Sequence, residues 1–169
     1  MNAVTPIPRE ETAEQRWSRF SPIATGDEYV DSLRNRGLTV YLFGEKVAEP
    51  VDHPIIRPSI NALKATYDLA IEDPVLATAH SELIDAPVNR FLHIVGSPNV
   101  LVMKNRMQRR MGQITGTCFQ RCAGLDTISV LHSITYDIDE AHGTRYHQRY
   151  LDFMRHAQRN NIIIGAGMT

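Results

Sequence analysis

At 169 residues the chain has the length of one ordinary domain, large enough to bury a core of its own. Its 43% hydrophobic and 22% charged content is that of a soluble globular protein, and a formal net charge of -1 removes the electrostatic ground for a nucleic-acid or anionic-membrane partner. The longest apolar runs, such as residues 91–95, fall far short of the roughly 20 residues a bilayer-spanning helix needs. The polar start, with Glu10, Glu11 and Glu14, lacks the apolar segment of a secretory signal, so the cytoplasm is the expected compartment.

Residues 1–24, with Pro6, Pro8 and Pro22, read as an extended polar lead-in whose Trp17 and Phe20 could dock on a neighbouring surface. Thr25 followed by Glu28 is a capping-box signature, and it predicts a helix over 26–36 that Gly37 ends. The β-formers of 38–43, turned back by Gly44 and Glu45 into Lys46 and Val47, predict a small hairpin. Ile60, Leu63, Tyr67, Ala70 and Ile71 recur at helical spacing, which predicts a helix from an N-cap at Ser59 to a stop at Asp73-Pro74. Residues 74–95 mix a short helical piece with an extended apolar run at 91–95.

Ser97 and Pro98 form a strong helix start. Val100, Leu101, Met103, Met107, Met111 and Ile114 line one side of the helix that follows, the methionines as core filler. Lys104, Arg106, Arg109 and Arg110 take the other side as a solvated basic face. Gly112 and Gly116 weaken this helix before Thr117. Helical periodicity returns from Cys118 to about Ala141. Gly143 then reads as a C-cap and Thr144 as a new N-cap, and a last helix runs to about Asn160. The expected fold class is mainly α with one small hairpin. The ending at 162–169, apolar and glycine-bearing, reads as a buried strand or ligand-facing turn that looks cut short.

The two cysteines are too few and too close for a secreted disulfide framework. At i and i+4 on one helix, Cys118 and Cys122 would project two thiols from the same face, with Gln120 and Arg121 pointing away from it. That spacing alone favours two ordinary buried thiols. His142, His147 and His156 carry no H-E-x-x-H pattern, and no phosphate-cradling loop or zinc signature is present.

Several stretches nevertheless resemble the 4-hydroxybutyryl-CoA dehydratase family: residues 25–34, 40–47 and 52–59, Asn89-Arg90-Phe91, Cys118-Phe119-Gln120-Arg121-Cys122-Ala123-Gly124, Thr135-Tyr136-Asp137, Gly143-Thr144-Arg145-Tyr146-His147 and Gly167-Met168-Thr169. Such enzymes are similar in build to acyl-CoA dehydrogenases and to the flavin-dependent 4-hydroxyphenylacetate 3-monooxygenases. The resemblance implies an acyl-CoA dehydrogenase-like amino-terminal helical domain over 25–161, with 162–169 opening a flavin-binding β domain. It implies FAD and a 4Fe-4S cluster as cofactors, with Cys118 and Cys122 as cluster ligands beside a histidine and a cysteine much later in the chain. It also implies an active-site role for Gln120 and flavin contact by Met168 and Thr169. The implied reaction is dehydration of 4-hydroxybutyryl-CoA to crotonyl-CoA with vinylacetyl-CoA isomerisation. The implied assembly is a homo-oligomer, dimer or tetramer, acting on an acyl-CoA, with the fragment alone inactive. A monooxygenase of the flavin group and a non-catalytic helical interaction module are the alternatives.

Overall fold

The computed structural model describes residues 12, 15, 17, 18, 21–34 and 36–165. In chain order the elements are α1 Gly26–Ser32, a hairpin of β1 Val40–Leu42 and β2 Glu45–Val47, α2 Arg57–Glu72, α3 Pro74–Ala77, a hairpin of β3 Thr78–Ser81 and β4 Ala86–Asn89, α4 Pro98–Thr115, α5 Cys122–His142 and α6 Tyr146–Asn160. Single 3-10 turns lie at Pro50–Asp52 and Arg90–Leu92. The mainly α class is as expected, with two hairpins in place of one.

The capping box at α1 is formed in both directions: the Glu28 N–H donates to Thr25 Oγ1 at 3.1 Å, and the Thr25 N–H donates to the Glu28 carboxylate at 3.3 Å. The helix nonetheless stops at Ser32 rather than running to 36. The first hairpin pairs Val40 with Val47 and Leu42 with Glu45, leaving Phe43 and Gly44 as a two-residue turn, both at positive φ, which suits the strand twist. Helix α2 begins two residues before Ser59, on Arg57 and Pro58, so Ser59 lies inside it and is not its N-cap. Asp73 does end it, and its carboxylate caps α3 through the Leu76 N–H at 3.0 Å.

The second hairpin, β3 with β4, pairs Thr78 with Asn89 and Ser81 with Ala86. Its strands carry little β-propensity and include Pro87, which a two-stranded ribbon accepts because both strands are edges. Residues 91–95 are not one extended run, since Phe91 and Leu92 close the 3-10 turn after β4. Helix α4 opens on Ser97, whose Oγ accepts from the Val100 N–H at 3.4 Å, and closes on Gly116 at φ +60°. Met107 and Met111 are fully buried as core, whereas Leu101 and Ile114 are exposed. Lys104, expected on the solvated face, is also fully buried, and its ammonium donates to the His93 carbonyl. Burial pulls its pKa down to about 8.

Three apolar clusters build the core. The first joins α2, α3, α4 and α5 through Leu69, Ala77, Phe91, Met107, Met111, Phe119 and Leu125. In the second, α1 is seated on α2 through Tyr29, Val30, Ile60 and Tyr67. Leu92, Ile128, Tyr150, Met154 and Ala157 make the third, where α5 and α6 lie against each other. Gln158 links β3 to the Arg90–Leu92 turn, accepting from Ser81 Oγ at 2.7 Å and donating to the Leu92 carbonyl at 2.9 Å. Trp17 stacks on His156 of α6 with ring centroids 4.9 Å apart, while Phe20 lies outside the described residues. Residues 162–164 are half-buried and form no strand, and Ile164 lies against Gly124 of α5.

The α5–α6 junction differs from the expected Thr144 cap. Gly143 ends α5 at φ +62°, as read, but α6 is capped by Asp139, one turn back on α5, whose carboxylate accepts from the Tyr146 and His147 N–H groups at 2.8 and 2.9 Å. Burial raises the Asp139 pKa, but the hydrogen bonds from Thr144 and from these two N–H groups outweigh it and hold the carboxyl below its ordinary value. A depressed carboxyl pKa contributes stability above the unfolded-state value that is lost as pH falls through the folded one. Asp139→Asn is therefore expected to lower the thermal midpoint at neutral pH and to flatten its acid-side decline, as read from melting curves taken from pH 7 down to pH 3.

Candidate functional site

The cysteine motif sits where α4 ends and α5 begins. Cys118 is not on the helix with Cys122: residues 117–121 form a loop, and α5 starts at Cys122 itself. The predicted one-face helical geometry is therefore replaced by a turn. It still leaves the two thiols near enough that Cys118 raises the Cys122 pKa. Cys118 is exposed and Cys122 half-buried.

The loop alternates in burial. Phe119 packs under it against Phe91, with ring centroids 5.5 Å apart. Gln120 is exposed and sits at φ +55°, a left-handed conformation uncommon outside glycine. The Arg121 N–H donates back to the Phe119 carbonyl at 2.7 Å, which makes a γ-turn centred on Gln120. Backbone held in such a region costs on the order of 1–3 kcal/mol and persists only where its surroundings over-determine it. The Gln120 N–H, turned inward, donates to Cys118 Sγ at 3.4 Å.

Arg121 was read as pointing away from the cysteines on a helix surface; it is instead 1% exposed. One guanidinium nitrogen donates to Thr66 Oγ1 at 3.0 Å, and another to Asn161 Oδ1 at 3.1 Å and the Ile162 carbonyl at 3.2 Å. Its charged carbon lies 4.8 Å from the Tyr67 ring centroid and 5.4 Å from that of Phe91. Among the described residues it has no carboxylate partner and its Nε has no acceptor. Burial pulls its pKa down to about 10, which leaves it charged at neutral pH.

Burial first, then the neighbouring Cys118 thiol, raises the Cys122 pKa, against the lowering effect of the Ala123 and Cys122 backbone N–H groups at the start of α5. Two neighbouring thiols resist simultaneous ionisation, and a cation between them removes that resistance. The arrangement is suited to holding a thiophilic metal from one side. Among the described residues no group of three or more His, Cys, Asp and Glu side chains is placed to hold a metal ion alone. Met168 and Thr169 lie outside the described residues.

One glycine is dictated by this site. A Cβ on Gly124 would collide with the Ile164 carbonyl, so only glycine lets Ile164 lie against the first turn of α5.

The family model described as 4-hydroxyphenylacetate 3-hydroxylase N terminal matches residues 25–169. The chain belongs to this family. It is 43% identical over 150 residues to the 4-hydroxybutyryl-CoA dehydratase/vinylacetyl-CoA-Delta-isomerase of Clostridium aminobutyricum, a match covering 87% of this chain and 30% of that protein. A 67-residue stretch, 40% of this chain and 14% of the relative, is 34% identical to a 4-hydroxyphenylacetate 3-monooxygenase oxygenase component of Geobacillus sp. (strain PA-9). Among solved structures, an oxygen-tolerant archaeal 4-hydroxybutyryl-CoA dehydratase from N. maritimus matches with a TM-score of 0.81 and 57% identity, over 83% of this chain and 28% of that one. The chain thus spans less than a third of the length of the dehydratases it matches. The resemblance read from the motifs holds, and the mainly α fold matches that of an acyl-CoA dehydrogenase-like protein.

Gly124→Ala is expected to destabilise the domain by about 1–3 kcal/mol, because the added methyl meets backbone rather than a movable side chain. Urea unfolding measures the loss, and hydrogen exchange at 162–165 should report the local opening. A change within about 0.5 kcal/mol would show that the terminal segment does not lie on α5.

Proposed function

We propose that this chain is the helical amino-terminal portion of a FAD- and 4Fe-4S-dependent 4-hydroxybutyryl-CoA dehydratase, a lyase and isomerase, and that Cys118 and Cys122 are two of the four cluster ligands. The observation that carries the reading is the built turn between the two cysteines: left-handed Gln120, whose N–H donates to Cys118 Sγ, closed by the Arg121 N–H on the Phe119 carbonyl and anchored by buried side chains. A merely structural pair of cysteines has no need of left-handed backbone between them.

Iron–sulfur clusters are held by thiolates and normally take four protein ligands. This pair fits one side of such a site, and the further histidine and cysteine belong to sequence beyond these residues. When bound, the cluster supplies a Lewis-acidic iron for the departing hydroxyl and FAD supplies transient oxidation of the acyl chain.

The remaining roles are carried by the chain itself. The Gln120 N–H donates to Cys118 Sγ and so fixes where that sulfur sits relative to the turn. The exposed Gln120 amide offers both a donor and an acceptor, which suits it to orient the thioester carbonyl of an acyl-CoA. Residues 25–161 form the helical domain in this reading, and 162–169 lead into a flavin-binding β domain with Met168 and Thr169 at the flavin. No helix among the described residues is long and apolar enough to cross a membrane, which accords with a cytoplasmic enzyme. Its expected state is a dimer or tetramer.

Anaerobic reconstitution of the chain with iron and sulfide tests the ligand assignment, with added small thiols filling the open positions. The wild type should retain iron and sulfide in equal amounts and develop thiolate-to-iron charge-transfer absorption, and Cys118→Ser and Cys122→Ser should each lose it. Equal retention by the variants would contradict the assignment. Exchanging this chain for the matching region of the Clostridium dehydratase tests the reaction. A chimera that dehydrates 4-hydroxybutyryl-CoA supports it, and an iron-free flavoprotein that hydroxylates phenols supports the monooxygenase alternative.

A further inference from the structure

Between the two cysteines lies a residue whose side chain never approaches solvent. The loop presents Cys118 outward, Phe119 inward, Gln120 outward and Arg121 inward. Phe119 fastens the loop by apolar contact alone, which fixes depth but little orientation. Arg121 fastens it by direction. Its planar fork reaches Thr66 on α2 and Asn161 and Ile162 after α6, and it lies over the Tyr67 and Phe91 rings. Those contacts come from three separate parts of the chain, so the guanidinium plane is set from three sides. Its backbone N–H also closes the γ-turn that carries Gln120.

A buried cation among neutral acceptors is a costly way to fill a core, and a hydrophobic residue of similar volume would serve packing equally well. What the guanidinium adds is angular definition of the backbone between two thiols. We propose that Arg121 is a positioning residue for the Cys118–Cys122 dithiol: its three-sided anchorage closes the loop so that the two thiols stay on one side of it, with Gln120 projecting beside them. The inference rests on the reading that the two thiols act together as ligands, and its test uses a probe that needs no metal.

Phenylarsine oxide is the probe. It condenses with two adjacent thiols, forming two As–S bonds and releasing one water, with no change in oxidation state. The affinity of the purified chain for the arsenical is measured by competition with a small dithiol, at a temperature where circular dichroism shows the protein folded. Arg121→Met is expected to keep the helical spectrum and weaken capture by about tenfold or more, the scale of losing a hydrogen-bonded charged group. Arg121→Lys, which keeps charge but not the fork, should fall between the two.

Capture by folded Arg121→Met within about twofold of wild type would overturn the proposal. If that variant does not fold, Thr66→Val decides, since it removes one acceptor and leaves the arginine in place. A loss of about fivefold supports the role and unchanged capture overturns it. Arginine-dependent capture by a chain that takes up no iron or sulfide would sink the cluster assignment and leave the role of Arg121 standing.

Discussion

The burial of the Arg121 guanidinium is the constraint around which this domain is arranged. A cation removed from water needs every available acceptor, and this one finds them on α2, at Asn161 and at Ile162, with two aromatic faces beneath it. Elements distant in sequence are brought together at one point. Tyr67, which stacks on Tyr29 at 5.3 Å, donates its hydroxyl to the Asn161 carbonyl, so the same point ties α1 and α2 to the segment after α6. Ile164 is then held against α5, where Gly124 makes room for it.

Among the described residues, Arg121 is one of three buried cations held by neutral groups. Arg90 donates to the carbonyls of Val75, Leu76 and Thr78, completing the end of α3 where the helix leaves carbonyls open. Lys104 does the same for the His93 carbonyl in the irregular stretch before α4. In each case long cationic side chains supply donors where a chain of short helices and two-stranded hairpins leaves acceptors without a ladder. The burial lowers all three pKa values for the same reason, loss of water around a charge. At the cysteine loop this general device acquires a chemical consequence, because the backbone being fixed carries two thiols and an amide.

The sequence made some of this readable and hid the rest for identifiable reasons. The Thr25–Glu28 capping box, the Ser97-Pro98 start and the Gly143 stop rely on local chemistry, and they form as expected. The hairpin of β3 and β4 escaped notice because Pro87, Ala79 and Ser81 carry no strand signal; its register is set by tertiary packing. Thr144 has the character of an N-cap, yet Asp139 from the preceding turn caps α6, a partner that residue spacing does not reveal. At the site, an i, i+4 pair suggested one helix. The buried Arg121 and the left-handed Gln120 turn the span into a loop instead, and a charged residue beside a cysteine looks like surface until its acceptors elsewhere in the chain are known. The i, i+4 spacing of the two cysteines was legible in the motif; the loop that carries it was not.

In this account the folded domain holds Cys118 and Cys122 near each other before any cofactor arrives. Equilibration of the wild-type chain in glutathione buffers of graded redox potential tests it most directly, with mass spectrometry counting the adducts. Preorganised thiols should yield a single Cys118–Cys122 disulfide with two glutathiones reduced and almost no mixed adduct, and thermal unfolding should abolish the preference. Mixed glutathione disulfides accumulating on both cysteines of the folded chain would contradict the account.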